Sequence, residues 1–144
     1  MSSAAAMRFP DGTDLSHFPL PLMQAIGLRE VVSLDPQRGS RLLFEGRPEF
    51  THSNGTTVQG GIITSWLDCA MAWAVTARAA GTALASLDIQ VRFISRVGPG
   101  PCYAEARVVK WGRTVAVLEA DLLDVEGKLL ARASSTGMVS ARSP

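Results

Sequence analysis

Hydrophobic and polar residues alternate strictly along residues 86–93, with apolar side chains at the odd positions and polar side chains at the even ones. A period of two is typical of a β-strand that has one covered face. Residues 102–110, 115–124 and 129–139 also read as strands, because short Gly-containing connections of hairpin length separate them. The pattern therefore predicts four strands in a meander over the second half of the chain.

A different pattern occupies residues 60–80, where apolar side chains stand at almost every position of GGIITSWLDCAMAWAV. Arg78 near the end of this segment and Gly81 just beyond it are typical stop signals of a helix. A helix that is apolar nearly all round has to be surrounded by other elements rather than lie on a surface. The segment therefore predicts one long buried helix that begins at Gly60 and Gly61.

The first part of the chain carries shorter elements, which turn-forming residues separate. We predict a flexible tail over 1–16, a single domain over 17–144, a short helical turn within 18–28, strands at 28–34 and 41–45, and a loop over 47–57. A twisted antiparallel sheet curls round one long helix in an α+β domain of this kind, with the helix as its core. We expect any helix face that the sheet leaves open to contact a second subunit.

The composition is that of one globular domain, with 144 residues of which 47% are hydrophobic and 19% are charged. The formal net charge of +1 shows no basic excess of the kind that binds nucleic acid. Asp68 and Arg78 interrupt the apolar segment 62–80, which argues against a membrane span. The N-terminus lacks the positive start and apolar core of a secretory signal, so a cytoplasmic location is expected.

The two cysteines, Cys69 and Cys102, have neither metal-like nor redox-like spacing, and no histidine is near them in the sequence. We interpret both as reduced packing residues. We therefore expect neither a metal ion nor a redox cofactor.

The two glycines at the predicted helix start admit two interpretations. Unpaired backbone N–H groups point outward there, with the positive end of the helix dipole, and a residue without Cβ lets a carbonyl oxygen come close. Gly60 and Gly61 then form part of an oxyanion hole. Alternatively, the pair only permits a sharp turn from loop to helix.

Asp68 follows Gly60 by eight residues, which is about 12 Å along a helix axis at 1.5 Å per residue. One reacting carbonyl group does not reach both, so a shared role requires Asp68 to come from a second, antiparallel copy of the helix. A purely structural alternative is that Asp68 hydrogen-bonds Thr64 or Ser65 on the same helix. His17 and His52, the only histidines, fall in predicted loops and are expected to be exposed rather than catalytic.

The segments VQGGIITSWLDCAMAWAV, ASLDIQVRFISRVGPGP, VVKWGRTV and GKLLARASSTGMV, in this order, resemble the hotdog-fold acyl-CoA thioesterases of the phenylacetate-pathway type. The resemblance extends over residues 28–139. It implies an α+β hotdog fold, a long central helix wrapped by a curved antiparallel sheet, in agreement with the pattern above.

The resemblance also implies roles for individual residues. Gly60 donates its backbone N–H to the thioester oxygen, and Asp68 of the facing subunit is the nucleophile or the base that activates water. Ser86 helps to hold that water. The coenzyme A contacts fall on Phe93, Ser95, Arg96, Val97, Lys110, Gly112, Arg113 and Thr114.

Two positions depart from the family pattern. Gln59 stands among the catalytic residues where the family usually has histidine, and its amide forms hydrogen bonds but does not titrate. Six residues earlier, where the family often carries asparagine, the chain has Ser53, with Asn54 one place later. Either Asn54 moves into that role or Ser53 replaces it more weakly on the substrate side. Gly61 is also assigned to substrate binding.

The function implied is hydrolysis of an acyl-CoA thioester to free acid and CoA. We expect a homodimer or a dimer of dimers, that is, a homotetramer, in which coenzyme A enters only as part of the substrate and neither nucleic acid nor membrane is a partner. Two alternatives remain open. One is a hotdog enoyl-CoA hydratase or dehydratase, which the sequence HFP at His17 resembles weakly, and the other is a non-catalytic acyl-CoA-binding module.

Overall fold

A computed structural model describes residues 6–141, which form two helices, eight strands and one 3-10 turn at Pro48–Phe50. In chain order the elements are α1 (Leu20–Ala25), β1 (Leu28–Asp35), β2 (Gly39–Gly46), β3 (Thr51–His52), β4 (Thr57–Val58), α2 (Gly60–Arg78), β5 (Thr82–Phe93), β6 (Gly100–Trp111), β7 (Val115–Leu123) and β8 (Leu129–Ala141). The one long helix predicted from the sequence is confirmed. The loop predicted over 47–57 contains the small β3–β4 hairpin.

Six antiparallel strands form one sheet in the order β1-β2-β6-β7-β8-β5. The predicted meander is correct for β6, β7 and β8 but wrong for β5, which pairs with β8 from Thr82↔Ala141 to Phe93↔Ala131. The segment after β5 crosses over, so that β6 pairs with β2 instead. Alternation of residues within a strand specifies its covered face but not its neighbour, which is why the pattern did not reveal this crossover.

Helix α2 packs on the concave face of this sheet and forms the core. Trp66, Leu67 and Trp73 have no exposed surface, and Phe44 of β2 stacks on Trp66 with ring centroids 5.4 Å apart. The alternating residues of the strands complete this core, while the other face of the sheet carries ion pairs such as Arg132–Asp121. The fold thus has the single helix-on-sheet core that the sequence predicted.

The helix is not covered on every side, in contrast to the prediction from its apolar composition. Ser65, Asp68 and Ala72 are only half-buried, and they follow one another at helical spacing. This open face of α2 lies over no element among residues 6–141 that would bury it. It is the face for which the sequence analysis expected a second subunit.

The N-terminal segment is attached to the core from residue 7 onward, which differs from the flexible tail predicted over 1–16. Arg8 forms backbone hydrogen bonds with Arg29 and Val31 on β1. Phe9 and Phe18 both contact the buried Trp73, and the Phe18 ring stacks on it with centroids 3.8 Å apart. Residues 1–5 lie outside the described part of the chain.

Both cysteines are free thiols, as predicted. Desolvation by burial raises the pKa of the Cys69 thiol from 9.0 to about 12, and the nearby Asp68 charge adds to this shift. Burial also raises the pKa of Cys102 to about 12, with a contribution from Glu45.

No helix of the described residues is long and apolar enough to cross a membrane.

We predict that the native protein does not react with an aromatic disulfide reagent at pH 8. The thiolate is the reactive form, and a pKa near 12 leaves only about one thiol in ten thousand ionised at that pH. The absorbance of the aromatic thiolate that the reagent releases should not rise over the minutes of an assay. After addition of guanidinium chloride, it should rise by the amount expected for two reacting thiols per chain. The Cys102→Ser variant should release one thiol on denaturation, and rapid labelling of the native protein would contradict the prediction.

Candidate functional site

The start of α2 is capped by the side chain of the residue before it. Gln59 has an extended backbone, and its Oε1 accepts hydrogen bonds from Gly61 N–H at 2.6 Å and from Ile62 N–H at 3.2 Å. The first four N–H groups of a helix lack partners within the helix itself. Within residues 6–141, the N–H of Gly60 donates no hydrogen bond, so it is the free donor at this helix end.

The side chain of Phe93 explains why position 60 is a glycine. A Cβ atom on Gly60 would lie 3.0 Å from the Cζ of Phe93, which is closer than most real Cβ contacts. Phe93 is the last residue of β5, and its ring is 54% exposed. The ring therefore lies against Gly60 and is itself largely open to solvent.

A cleft of about 420 Å³ opens at this point. It brings together five of the residues that the resemblance assigned, namely Gly60, Phe93, Ser95, Arg96 and Val97. Val58 and Ile63 give it an apolar wall. The cleft therefore presents a hydrogen-bond donor at an apolar wall with a cation at its rim, which suits a ligand with a carbonyl oxygen and an anionic part.

His52 is a cleft residue that the sequence analysis did not assign. It is exposed, as predicted, but it lines the cleft together with Thr57. Its Nδ1 lies 2.8 Å from the Oγ of Ser53. The hairpin that brings His52 to the helix start has strands of only two residues, which are too short to show an alternating pattern in the sequence. The position of His52 next to Ser53 was therefore the one signal that could have indicated it.

Ser53 and Asn54 form the turn between β3 and β4, with φ angles of 55° and 60°. Both are exposed, and neither lines the cleft of Gly60. The structure therefore brings neither of them into contact with Gly60, and the contact on the substrate side that the resemblance implies for this pair stays a prediction.

Asp68 is held by Ser86, since the Ser86 Oγ–H donates to Asp68 Oδ1 at 3.0 Å. The alternative that Asp68 bonds Thr64 or Ser65 is wrong. These hydroxyls donate to the carbonyl oxygens of Gly60 and Gly61, each at 2.9 Å. The structure thus joins the two predicted site residues Asp68 and Ser86 on the open face of α2.

Asp68 does not belong to the cleft of Gly60 in the same chain. Eight residues of continuous helix separate the two positions, which is about 12 Å. One chain therefore has a free amide in a cleft at the start of α2 and a carboxylate on an open face two turns away.

The remaining predicted coenzyme A contacts lie at the other end of the sheet. Lys110, Gly112, Arg113 and Thr114 belong to the end of β6 and its connection to β7. The backbone oxygen of Thr114 accepts a hydrogen bond from Val139, and Val139 pairs with Leu84 on β5. Leu84 is nine residues from Phe93, or about 30 Å along the strand, so one chain does not bring the two groups together.

Among the described residues, no group of three or more His, Cys, Asp or Glu side chains is placed to hold a metal ion.

Residues 55–131, more than half of the chain, match the family described as the thioesterase superfamily. A curated relative from Saccharolobus solfataricus, provisionally named an esterase, is 31% identical over 87 residues, or 60% of this chain. The match spans 61% of the length of that relative.

Solved structures of similar proteins share the fold. A variant of the phenylacetic acid degradation protein of Thermus thermophilus has a TM-score of 0.71 at 28% identity, covering 82% of this chain and 97% of that one. A protein related to phenylacetic acid degradation from Ralstonia eutropha has a TM-score of 0.74 at 27% identity, covering 82% and 89% of the two chains. The hotdog fold expected from the sequence resemblance is confirmed.

Proposed function

Because this chain belongs to the thioesterase superfamily, we propose that it hydrolyses an acyl-CoA thioester to the free acid and CoA, at a site that two copies of the chain build together. The observation that carries this proposal is the free N–H of Gly60 in a cleft that also holds Phe93 and Arg96. A thioester carbonyl oxygen accepts from this N–H, and the helix dipole stabilises the negative charge that develops on the oxygen.

Asp68 of the second copy supplies the other half of the chemistry. As a general base, its carboxylate removes a proton from water, and the water oxygen adds to the thioester carbonyl carbon. The C–S bond then breaks, and the proton passes to the CoA sulfur. In the covalent variant Asp68 itself attacks, the C–S bond breaks as the CoA thiolate leaves, and water hydrolyses the resulting anhydride, which releases the proton that the thiolate takes up. Ser86 holds the carboxylate in place in both cases.

The free edge of β5 is the surface that we propose joins the two copies. β5 is the last strand of the sheet, and it exposes Leu87 and Phe93 to 59% and 54%. An unpaired edge with apolar side chains is a template for pairing with another strand. Two copies of β5 in antiparallel contact extend the sheet across a two-fold axis.

A register centred on Gln90 fits the exposed side chains. It sets Phe93 of one copy opposite Leu87 of the other, and Arg92 opposite Asp88 of the other. Arg92 has no ion pair among the described residues, and within its own chain it lies across from Arg132, another cation. Like charges directly opposite one another are unfavourable, and the aspartate of the second copy offsets this.

The same register places Asp68 of the second copy near Gly60. Gly60 lies against Phe93, and Asp68 is bonded to Ser86, so the pairing of Phe93 with Leu87 brings the two halves of the site together. Farther along, it brings Arg96 of one copy toward Leu84 and Thr114 of the other. The two groups of coenzyme A contacts then meet at one site, where their cations suit phosphates.

The hydratase alternative draws no support from the position of His17. This residue lies beside the last turn of α2, in a cleft with Ala77 and Ala80, and not at Gly60. A homotetramer built from two such dimers and the cytoplasmic location stay predictions from the sequence.

We predict that Gly60→Pro lowers kcat by about a hundred- to a thousandfold relative to Gly60→Ala. Both variants add a Cβ next to Phe93, but only proline removes the N–H, and proline suits the first position of a helix. The extended backbone of Gln59 also suits a following proline. The measurement is CoA thiol release from acetyl-, hexanoyl-, octanoyl- and phenylacetyl-CoA.

Circular dichroism and thermal melting serve as the folding controls for both variants. Equal turnover by folded Gly60→Pro and Gly60→Ala would remove the N–H from the reaction. If the unmodified chain binds these thioesters by calorimetry but releases no thiol over hours, the protein is a binding module and not an enzyme.

We predict that Asp68→Asn lowers kcat by about a hundredfold or more, and that its activity returns in hybrids with Gly60→Pro. A hybrid dimer has one site with both defects and one site with none. Random pairing makes half of the dimers hybrids, so the mixture should reach about a quarter of the unmodified activity.

Co-expression of the two variants with different affinity tags isolates the hybrid. Tandem purification should then give about half of the unmodified kcat per dimer, because one of its two sites is intact. A hybrid no more active than its parents would show that Gly60 and Asp68 do not act across two copies.

We predict that Arg92→Glu and Asp88→Lys each weaken the dimer by about tenfold or more, and that the double variant restores it. Each single change sets like charges opposite one another twice across the axis. Sedimentation velocity over a range of concentrations measures the dissociation constant. Arg38→Glu, in the exposed turn after β1, is the charge-matched control. Because Asp88→Lys also removes the acceptor of Thr136 N–H, thermal melting checks the fold of each variant, and a folded double variant as weak as the singles would exclude this register.

A further inference from the structure

The side-chain oxygen of Gln59 is engaged on the protein side of the helix start. Its single acceptor atom, Oε1, holds the second and third N–H groups of α2, those of Gly61 and Ile62. Ile62 N–H also donates to the backbone oxygen of Gln59 at 3.0 Å, so the side chain decides whether Gly61 N–H is a second free donor beside Gly60 N–H. Of the first three N–H groups of the helix, only that of Gly60 has no acceptor among the described residues.

We propose that Gln59 is a positioning residue, whose uncharged cap leaves Gly60 N–H as the one donor and keeps the positive end of the α2 dipole available to the substrate oxygen. This inference rests on the proposed hydrolysis of a thioester. It assigns to Gln59 an action on the helix, through Gly61 and Ile62, and not a contact with the reacting atoms.

The absence of charge on this cap is the functional part of the inference. Asp, Asn, Ser and Thr are the usual residues at a helix N-cap, and a carboxylate there also gains from the dipole. A carboxylate at position 59 would accept from the same two N–H groups. Its negative charge would then lie next to the oxygen that becomes negative during the reaction, and the dipole would already be compensated.

The close fit of Gln59 to the helix start supports this assignment. A Cβ on Gly61 would lie 2.7 Å from Gln59 Oε1, so the glycine leaves room for the cap. Gly60 therefore leaves room for the ring of Phe93, and Gly61 leaves room for the amide of Gln59.

The experiment compares Gln59→Glu with Gln59→Asn, using octanoyl-CoA or whichever thioester of the panel the unmodified chain hydrolyses fastest. We expect Gln59→Glu to melt no lower than Gln59→Asn, because both cap the helix, but to lose about tenfold or more in kcat. Gln59→Asn should keep a kcat at least about tenfold above that of Gln59→Glu, because asparagine is a good neutral cap. Gln37→Glu, in the exposed β1–β2 turn, controls for the added charge.

A Gln59→Glu chain that turns over like Gln59→Asn would overturn the inference, since a role in stability alone predicts this result. Equal losses in both variants would also overturn it, because they would tie activity to the glutamine side chain itself and not to its lack of charge. The Gly60→Pro and Gly60→Ala pair is assayed alongside. If those two differ while Gln59→Glu is unaffected, the proposed function stands and only the inference about Gln59 fails.

Discussion

The continuous helix α2, buried on the sheet along one side and open along the other, is the constraint on which the rest of this structure depends. Its core contacts, with Trp66 and Trp73 fully buried, fix its position on the sheet. Its rise of 1.5 Å per residue then fixes the distance between any two groups along it. A helix packed in this way does not bend to bring Gly60 and Asp68 to one atom, so chemistry that needs both has to use a second copy.

The contacts around the two ends of this arrangement are of the kind that preorganises a site. At the helix start, the Gln59 side chain and the Phe93 ring occupy the space that two Cβ atoms would otherwise take. Two turns later, Asp68 is fixed by a hydrogen bond that crosses from the helix to β5. Both contacts are made within one chain, so the orientation of each group is set within that chain.

The strand that contacts both Gly60 and Asp68, β5, lies at an edge of the sheet. Because β5 lies at the edge and not in a meander, both Phe93 and Ser86 lie on a strand with one free side. The strand that carries the neighbours of Gly60 and Asp68 is therefore the strand that is open to another chain. If β5 were central in the sheet, β6 would pair with its free edge. A second chain could then not pair with β5, and the two halves of the proposed site could not meet.

Local signals were enough to predict much of this protein from its sequence. The period of two, the long apolar segment, the glycines before it and the isolated Asp68 predicted the strands, the helix and the separation of amide and acid, because each depends on residues that are neighbours along one element. The tertiary structure alone decided the edge position of β5, the bond from Ser86 to Asp68, the attachment of Phe9 and Phe18 to Trp73, the open face of α2, and the place of His52 on the cleft. These contacts join residues that are distant in the chain, and the free energy that selects them comes from packing against neighbours that no local pattern identifies.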